Sequence, residues 1–201
     1  MFINTSVFKK MLKEAYKTGG FTVGNDDGEI FIEGRSWVLR VDEEYFPNKE
    51  KAAVVELAGE LPAPGEVFSC KKDAVNQYTV PWNEIWDIGK RFDEIHTEFC
   101  KTDVLIELFQ DKCRIMQEKD TGRCVALKEE YFTLVDVDQS NNAIETETEG
   151  PRASDEGGKI LYWKNNIMSL ALCGVAAEEG TEERQLLDFL GKKKLWKEKG
   201  R

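Results

Sequence analysis

Apolar residues recur at helical spacing from Ser6 to Lys17, where Val7, Phe8, Met11, Leu12, Ala15 and Tyr16 trace one face of an amphipathic helix. Phe2 and Ile3 before it suit a short strand, Asn4 or Thr5 supplies a cap, and Gly19 with Gly20 ends it. The pattern then changes to clustered and alternating apolar residues over Phe21 to Val23, Ile30 to Ile32 and Trp37 to Val41. These read as three strands, the first two joined by a hairpin turn at Asn25-Asp26-Asp27-Gly28.

A shorter helix is predicted from Lys49 to Ala58, closed by Gly59 and the turn-forming Pro62-Ala63-Pro64-Gly65. A hairpin follows, with Val67 to Cys70 and Val75 to Val80 flanking Lys71-Lys72-Asp73. Pro81 then opens a second amphipathic face, Trp82, Ile85, Trp86, Ile88, Gly89 and Phe92, whose pattern runs on toward Phe99. Val104 to Phe109, Arg114 to Gln117 and Arg123 to Leu127 give three more strands. The order strand, helix, three strands therefore occurs twice, and Glu43-Glu44-Tyr45-Phe46 after the first triplet returns as Glu129-Glu130-Tyr131-Phe132 after the second. A duplicated unit explains both repetitions.

This order of elements points to an α+β protein whose residues 1–135 form one domain, with a helical insert near 47–65. Residues 136–158 are rich in Asn, Glu, Thr, Ser and Gly and read as an acidic, flexible loop. Residues 159–201 supply a hairpin, Ile160 to Trp163 and Ile167 to Leu172, and a C-terminal amphipathic helix with a basic end, both expected to pack on the same domain.

With 201 residues, 41% apolar and only 5 Pro, the chain is long and apolar enough for a folded core. The 38 acidic against 28 basic groups give a net charge of −10, which disfavours indiscriminate binding to nucleic acid or anionic membrane. No apolar run reaches the length of a signal peptide or a spanning helix, so the expected location is the cytoplasm, away from membranes. The 5 cysteines form no CxxC pair and read as reduced, buried thiols.

The succession Asn76-Gln77-Tyr78-Thr79-Val80-Pro81 into Ile85-Trp86-Asp87-Ile88, then Val104 to Leu108 and Arg123 to Leu127, resembles a domain of the bacterial DNA sliding clamp, the processivity factor of DNA polymerase. Phe2-Ile3-Asn4 into Phe8-Lys9-Lys10-Met11-Leu12 resembles the corresponding first unit. The likeness covers residues 1–135 and leaves the insert at 47–65 and residues 136–201 without counterpart. It implies DNA-clamp-like duplicated β-α-β-β-β units, with helices on one face of an extended antiparallel sheet. It also implies a role beside DNA, as a replication or phage-type accessory protein engaging DNA or a DNA-handling protein.

Two basic sets are candidate nucleic-acid contacts. On the first helix, Lys9, Lys13 and Lys17 fall at i, i+4 and i+8 with Lys10 beside them, where they can track phosphates. A Lys-rich solvated helix face has the same pattern. At the C-terminus, Lys192, Lys193, Lys194 and Lys197 are interleaved with Leu195 and Trp196, a combination that grips nucleic acid by charge and stacking or serves as a solubilising helix end. His96 precedes Cys100 by four residues, but two further ligands are not in evidence, and phosphate-loop, dinucleotide and nucleophile-elbow motifs are missing. The reading is a non-enzymatic, clamp-like binding module with no cofactor and no metal. An acidic protein–protein interaction module using the fold without DNA is the alternative, and an enzyme of unidentified type the third. Because the hairpin from Ile160 to Leu172 can cover a free sheet edge within the chain, a monomer or simple dimer is expected rather than a closed ring.

Overall fold

In the computed structural model, which describes residues 1–78, 87–137, 144–153 and 159–197, helix α1 (Thr5–Thr18) begins at Asn4. The Asn4 side chain accepts hydrogen bonds from the backbone N–H groups of Ser6 and Val7 at 3.0 and 3.1 Å, satisfying two of the donors that a helix start leaves open. Residues Phe8, Met11, Leu12 and Ala15 are buried, as the apolar spacing requires. Phe2 and Ile3 do not join a sheet. They pair with the segment near Val135, through Asn4 N–H to the Leu134 carbonyl and Asp136 N–H to the Phe2 carbonyl at 2.7 and 2.8 Å.

The three strands that follow, β1 (Phe21–Asp26), β2 (Glu29–Glu33) and β3 (Trp37–Asp42), form an antiparallel meander. Its first turn places Asp27 and Gly28 at φ 50° and 94°, the left-handed pair that a tight hairpin needs, and the Asn25 side chain accepts from Gly28 N–H. Helix α2 (Asn48–Ala58) then packs on α1, with β4 (Val67–Cys70) and β5 (Gln77–Tyr78) continuing the sheet beyond β1. On the far side of β3 lie β11 (Met168–Cys173), β10 (Ile160–Lys164) and β9 (Glu149–Arg152). The result is an eight-stranded antiparallel sheet in the order β5-β4-β1-β2-β3-β11-β10-β9. The hairpin expected from Ile160 to Leu172 does cover the edge of β3.

The second triplet, β6 (Phe99–Leu108), β7 (Asp111–Glu118) and β8 (Cys124–Lys128), forms a separate three-stranded sheet. Its Met116, Val125 and Leu127 join the main core, and its other face, with Cys113, Ile115 and Ala126, is covered by α5 (Glu182–Gly191) through Leu187. The repeated Glu-Glu-Tyr-Phe motif lies directly after the third strand in both cases. The first copy is a turn, with Tyr45 N–H on the Asp42 carbonyl, and the second is the short helix α4 (Glu129–Phe132).

The coarse expectation holds: the protein is α+β, with one large antiparallel sheet, a smaller one and five helices among the described residues. Three finer expectations differ. Helices do not share one face of the sheet. Trp37, Leu39 and Val41 of β3 point into the core that α1 occupies, whereas the alternate residue Val38, with Ala171 and Tyr162, meets Ile88 of α3 (Ile88–Glu94) on the opposite face. That helix also stops well before Phe99, which opens β6, so His96 and Cys100 share no helical face. Finally, the segment read as loop throughout 136–158 contains β9 and the fully buried Ala153, because Arg152 pairs with Tyr162 and Ala153 N–H bonds to the Thr97 carbonyl. Thr79, Val80, Pro81, Trp82, Ile85 and Trp86, which carry much of the clamp resemblance, lie outside the described residues.

Phe8 is 1% exposed and meets Trp37 edge to face at 6.1 Å, where α1 presses on the sheet. Phe8→Ala is expected to lower stability by about 3–5 kcal/mol in urea denaturation. Val75→Ala, at a position 89% exposed, is expected to change it by less than about 0.5 kcal/mol.

Candidate functional site

Strands β6 and β9 are the facing edges of the two sheets, and just before β6 begins they are joined by the bridge between Glu98 and Arg152 and by Ala153 N–H on the Thr97 carbonyl. Beyond that bridge they part, because β6 follows β7 through an irregular step between Lys101 and Leu105. Buried Thr102 fixes the step: its hydroxyl donates to the Ile115 carbonyl at 2.7 Å and accepts from Val104 N–H at 3.1 Å. The parting opens a groove of about 1300 Å³. Phe99 and Trp163 form its floor, Phe132 and Pro151 its sides, and the chain from Leu195 to Lys197 a further wall.

The charged groups around the groove fall into two classes. Lys119 pairs with Glu98, Arg152 with Glu149 at 2.6 Å, and Lys197 with Asp103 at 3.1 Å. The Lys119 ammonium holds the Glu98 carboxyl below the usual carboxylate range, mainly through their hydrogen bond. Arg114 is locked by a two-pronged contact with Glu129 and by the Thr102 carbonyl, and that hydrogen-bonded carboxylate raises its pKa. Lys101 is different. It has no carboxylate partner among the described residues and lies 4.8 Å from the centre of the Phe132 ring. Lys194 likewise lies over the Trp196 ring, at 3.9 Å.

The structure separates the two basic sets read from the sequence. On α1, Lys10 pairs with Glu130 of α4 at 2.6 Å, and Lys13 with Glu56 of α2 at 3.3 Å. Lys9 is half-buried and Lys17 exposed, leaving two of the four ammoniums without a carboxylate partner among the described residues. The C-terminal set lies elsewhere, along β6 and β7: Lys197 lines the groove, Lys194 stacks beside it, Lys193 lies over Phe189 at 5.0 Å, and Lys192 is exposed. Lys101, Phe132, Trp163 and Arg152 were not legible as site residues, since a strand-borne cation or aromatic reads as ordinary alternation until its neighbours are known. Gln117 did leave a signal. It stands in the apolar row Cys113, Ile115, Gln117, where a polar residue demands partners.

The thiols offer no nucleophile. Burial pushes Cys70 and Cys124 up to about 11 from the ordinary 9.0, and Cys100, Cys113 and Cys173 are also raised by desolvation. Among the described residues, no three His, Cys, Asp or Glu side chains gather as a metal site, and no helix is long and apolar enough to cross a membrane. Because the folded state keeps thiol protons that the unfolded chain releases, stability is expected to be full below pH 9 and to fall as pH rises toward 11. Urea midpoints measured across that window should decline, and replacing Cys70 and Cys124 by Ala should flatten the decline.

No protein-family model matches the chain, and no curated protein matches it significantly.

Proposed function

We propose that the protein is a non-enzymatic binding module that holds single-stranded nucleic acid in the groove between β6 and β9, in a replication or phage-type accessory role. The observation that carries this reading is the convergence of Lys101, Lys194 and Lys197 with the rings of Phe132 and Trp196 on one groove. Cations tracking phosphates beside aromatic platforms are what an unpaired strand needs, and a chain of net charge −10 repels the strand from its remaining surface. The clamp resemblance contributes the class of partner, and the matched position of the two Glu-Glu-Tyr-Phe copies, one a turn and one the helix α4, supports duplicated units. Encirclement of a duplex is not part of the proposal: α1 and α3 lie on opposite faces of the sheet, and Lys10 and Lys13 are engaged by Glu130 and Glu56. A monomer or simple dimer fits the covered edge of β3.

The second reading, an acidic protein-interaction module, is favoured by the ten-residue edge strand β6, whose outer side can pair with an extended peptide. Titration with a fluorescent oligothymidylate separates the two. Three phosphate contacts predict a slope of log affinity against log salt of about −2. Trp196→Ala should weaken binding by about 1–3 kcal/mol. Lys194→Glu with Lys197→Glu should flatten the salt slope, whereas Lys9→Glu with Lys17→Glu should leave it unchanged. Absence of binding at low salt would remove nucleic acid as the partner and leave the peptide reading.

A further inference from the structure

The wall formed by residues 192–197 has no secondary structure of its own and is tied to the small sheet by few groups. Gln117 of β7 is 1% exposed, and its amide is fully used. Nε2 donates to the Lys193 carbonyl at 2.7 Å and to the Gly122 carbonyl at 3.1 Å, while Oε1 accepts from Leu195 N–H at 2.8 Å. The remaining anchors are weaker. Lys197 and Asp103 form an ion pair whose side chains are 85% and 78% exposed, and Leu195 packs only partly against the α5 side of the sheet. At the root of the segment, Gly191 of α5 lies against Gly122, at φ 77° in the β7–β8 turn. A Cβ on Gly122 would fall 2.5 Å from the Gly191 carbonyl oxygen, so only glycine admits the approach.

The geometry points to Gln117 as the positioning residue of the groove: a buried latch that holds the C-terminal segment in register along β6, and so sets Trp196 and Lys197 where a ligand strand meets them. This rests on the groove being the binding site. Gln117 does not itself line the groove; it acts on the wall through the backbone of Lys193 and Leu195. Its side chain also joins this segment to the β7–β8 turn, where Arg123 pairs with Glu118 and stacks on Phe99 of the groove floor at 5.2 Å. The strap and the floor thus share one support.

The latch is tested by two variants, one on each side of the contact. Gln117→Met keeps the volume and removes the hydrogen bonds. Leu195→Pro removes the N–H from the strap and leaves β7 intact. Gln117→Met is expected to speed hydrogen exchange of the Leu195 amide by about tenfold, the loss of one such bond, with the amides of β7 and β8 unchanged. Both variants should admit trypsin at Lys193, and Gln117→Met also at Lys194, where Leu195→Pro creates a Lys–Pro bond that trypsin does not cut; both should weaken oligothymidylate binding to the level of Trp196→Ala. Asp103→Asn, which breaks only the exposed ion pair, should alter neither the exchange of the Leu195 amide nor the proteolysis. Unchanged exchange in Gln117→Met together with unchanged proteolysis in both variants would overturn the latch. A released strap with wild-type affinity would overturn its positioning role. If the wild-type protein binds no oligonucleotide, the groove reading falls, while the exchange and proteolysis results still decide whether Gln117 holds the strap.

Discussion

One face of the eight-stranded sheet is apolar across five adjacent strands, and α1, α2 and the smaller sheet are arranged to cover it. Val23, Ile32, Leu39, Leu170 and Leu161 lie on five adjacent strands and are all buried. A surface that broad cannot be closed by a single helix whose apolar stripe spans only part of a turn. Two different covers share the work: α1 with α2 over the half around β1 to β3, and the three-stranded sheet over the half around β11 to β9. Helices and a sheet do not end at the same line, and the second cover is joined to the first sheet's edge beside Glu98. The groove is the remaining mismatch between a curved sheet and the smaller sheet laid across it.

The first half of this arrangement was legible in the sequence because it is local. The period of α1, the Asp27-Gly28 turn and the β1 to β3 meander each follow from residues a few positions apart, and the structure has them within three residues. What was not legible is pairing between distant segments. Nothing in Arg152 or Ala153 announces a partner in Tyr162 or Thr97, so a stretch poor in apolar residues read as loop although it carries β9. The side on which α3 lies was equally hidden, since Val38 and Leu39 are both apolar and only the pleat decides which faces which helix. Of the site, the C-terminal cations and Trp196 could be named in advance, but their neighbours on β6 and α4 could not.

Charge pairing decides which cations are available. Most lysines and arginines around the two sheets face a carboxylate, as an acidic chain makes easy. Such exposed pairs contribute little to stability, yet each lowers the field that its cation presents outward. Lys101, which has no carboxylate partner among the described residues, is directed over the Phe132 ring instead, which leaves its positive charge less compensated than a carboxylate would. Electrostatic selectivity here comes from which partner each ammonium has, more than from how many ammoniums there are.

The two facing sheet edges are finished in opposite ways. β9 carries Pro151, a residue with no backbone N–H, and so offers an incomplete ladder to any incoming strand. β6 runs ten residues, and among the described residues no strand pairs with its outer side beyond the bridge at Glu98. A bare edge of that length invites uncontrolled polymerisation when it stands in open solvent. Set back beside a strap on one side and a proline-blunted strand on the other, it admits a slender chain and turns away the flat edge of another folded molecule. In the proposed reading, the recess that receives a ligand strand is also what keeps this edge from pairing with a second folded molecule.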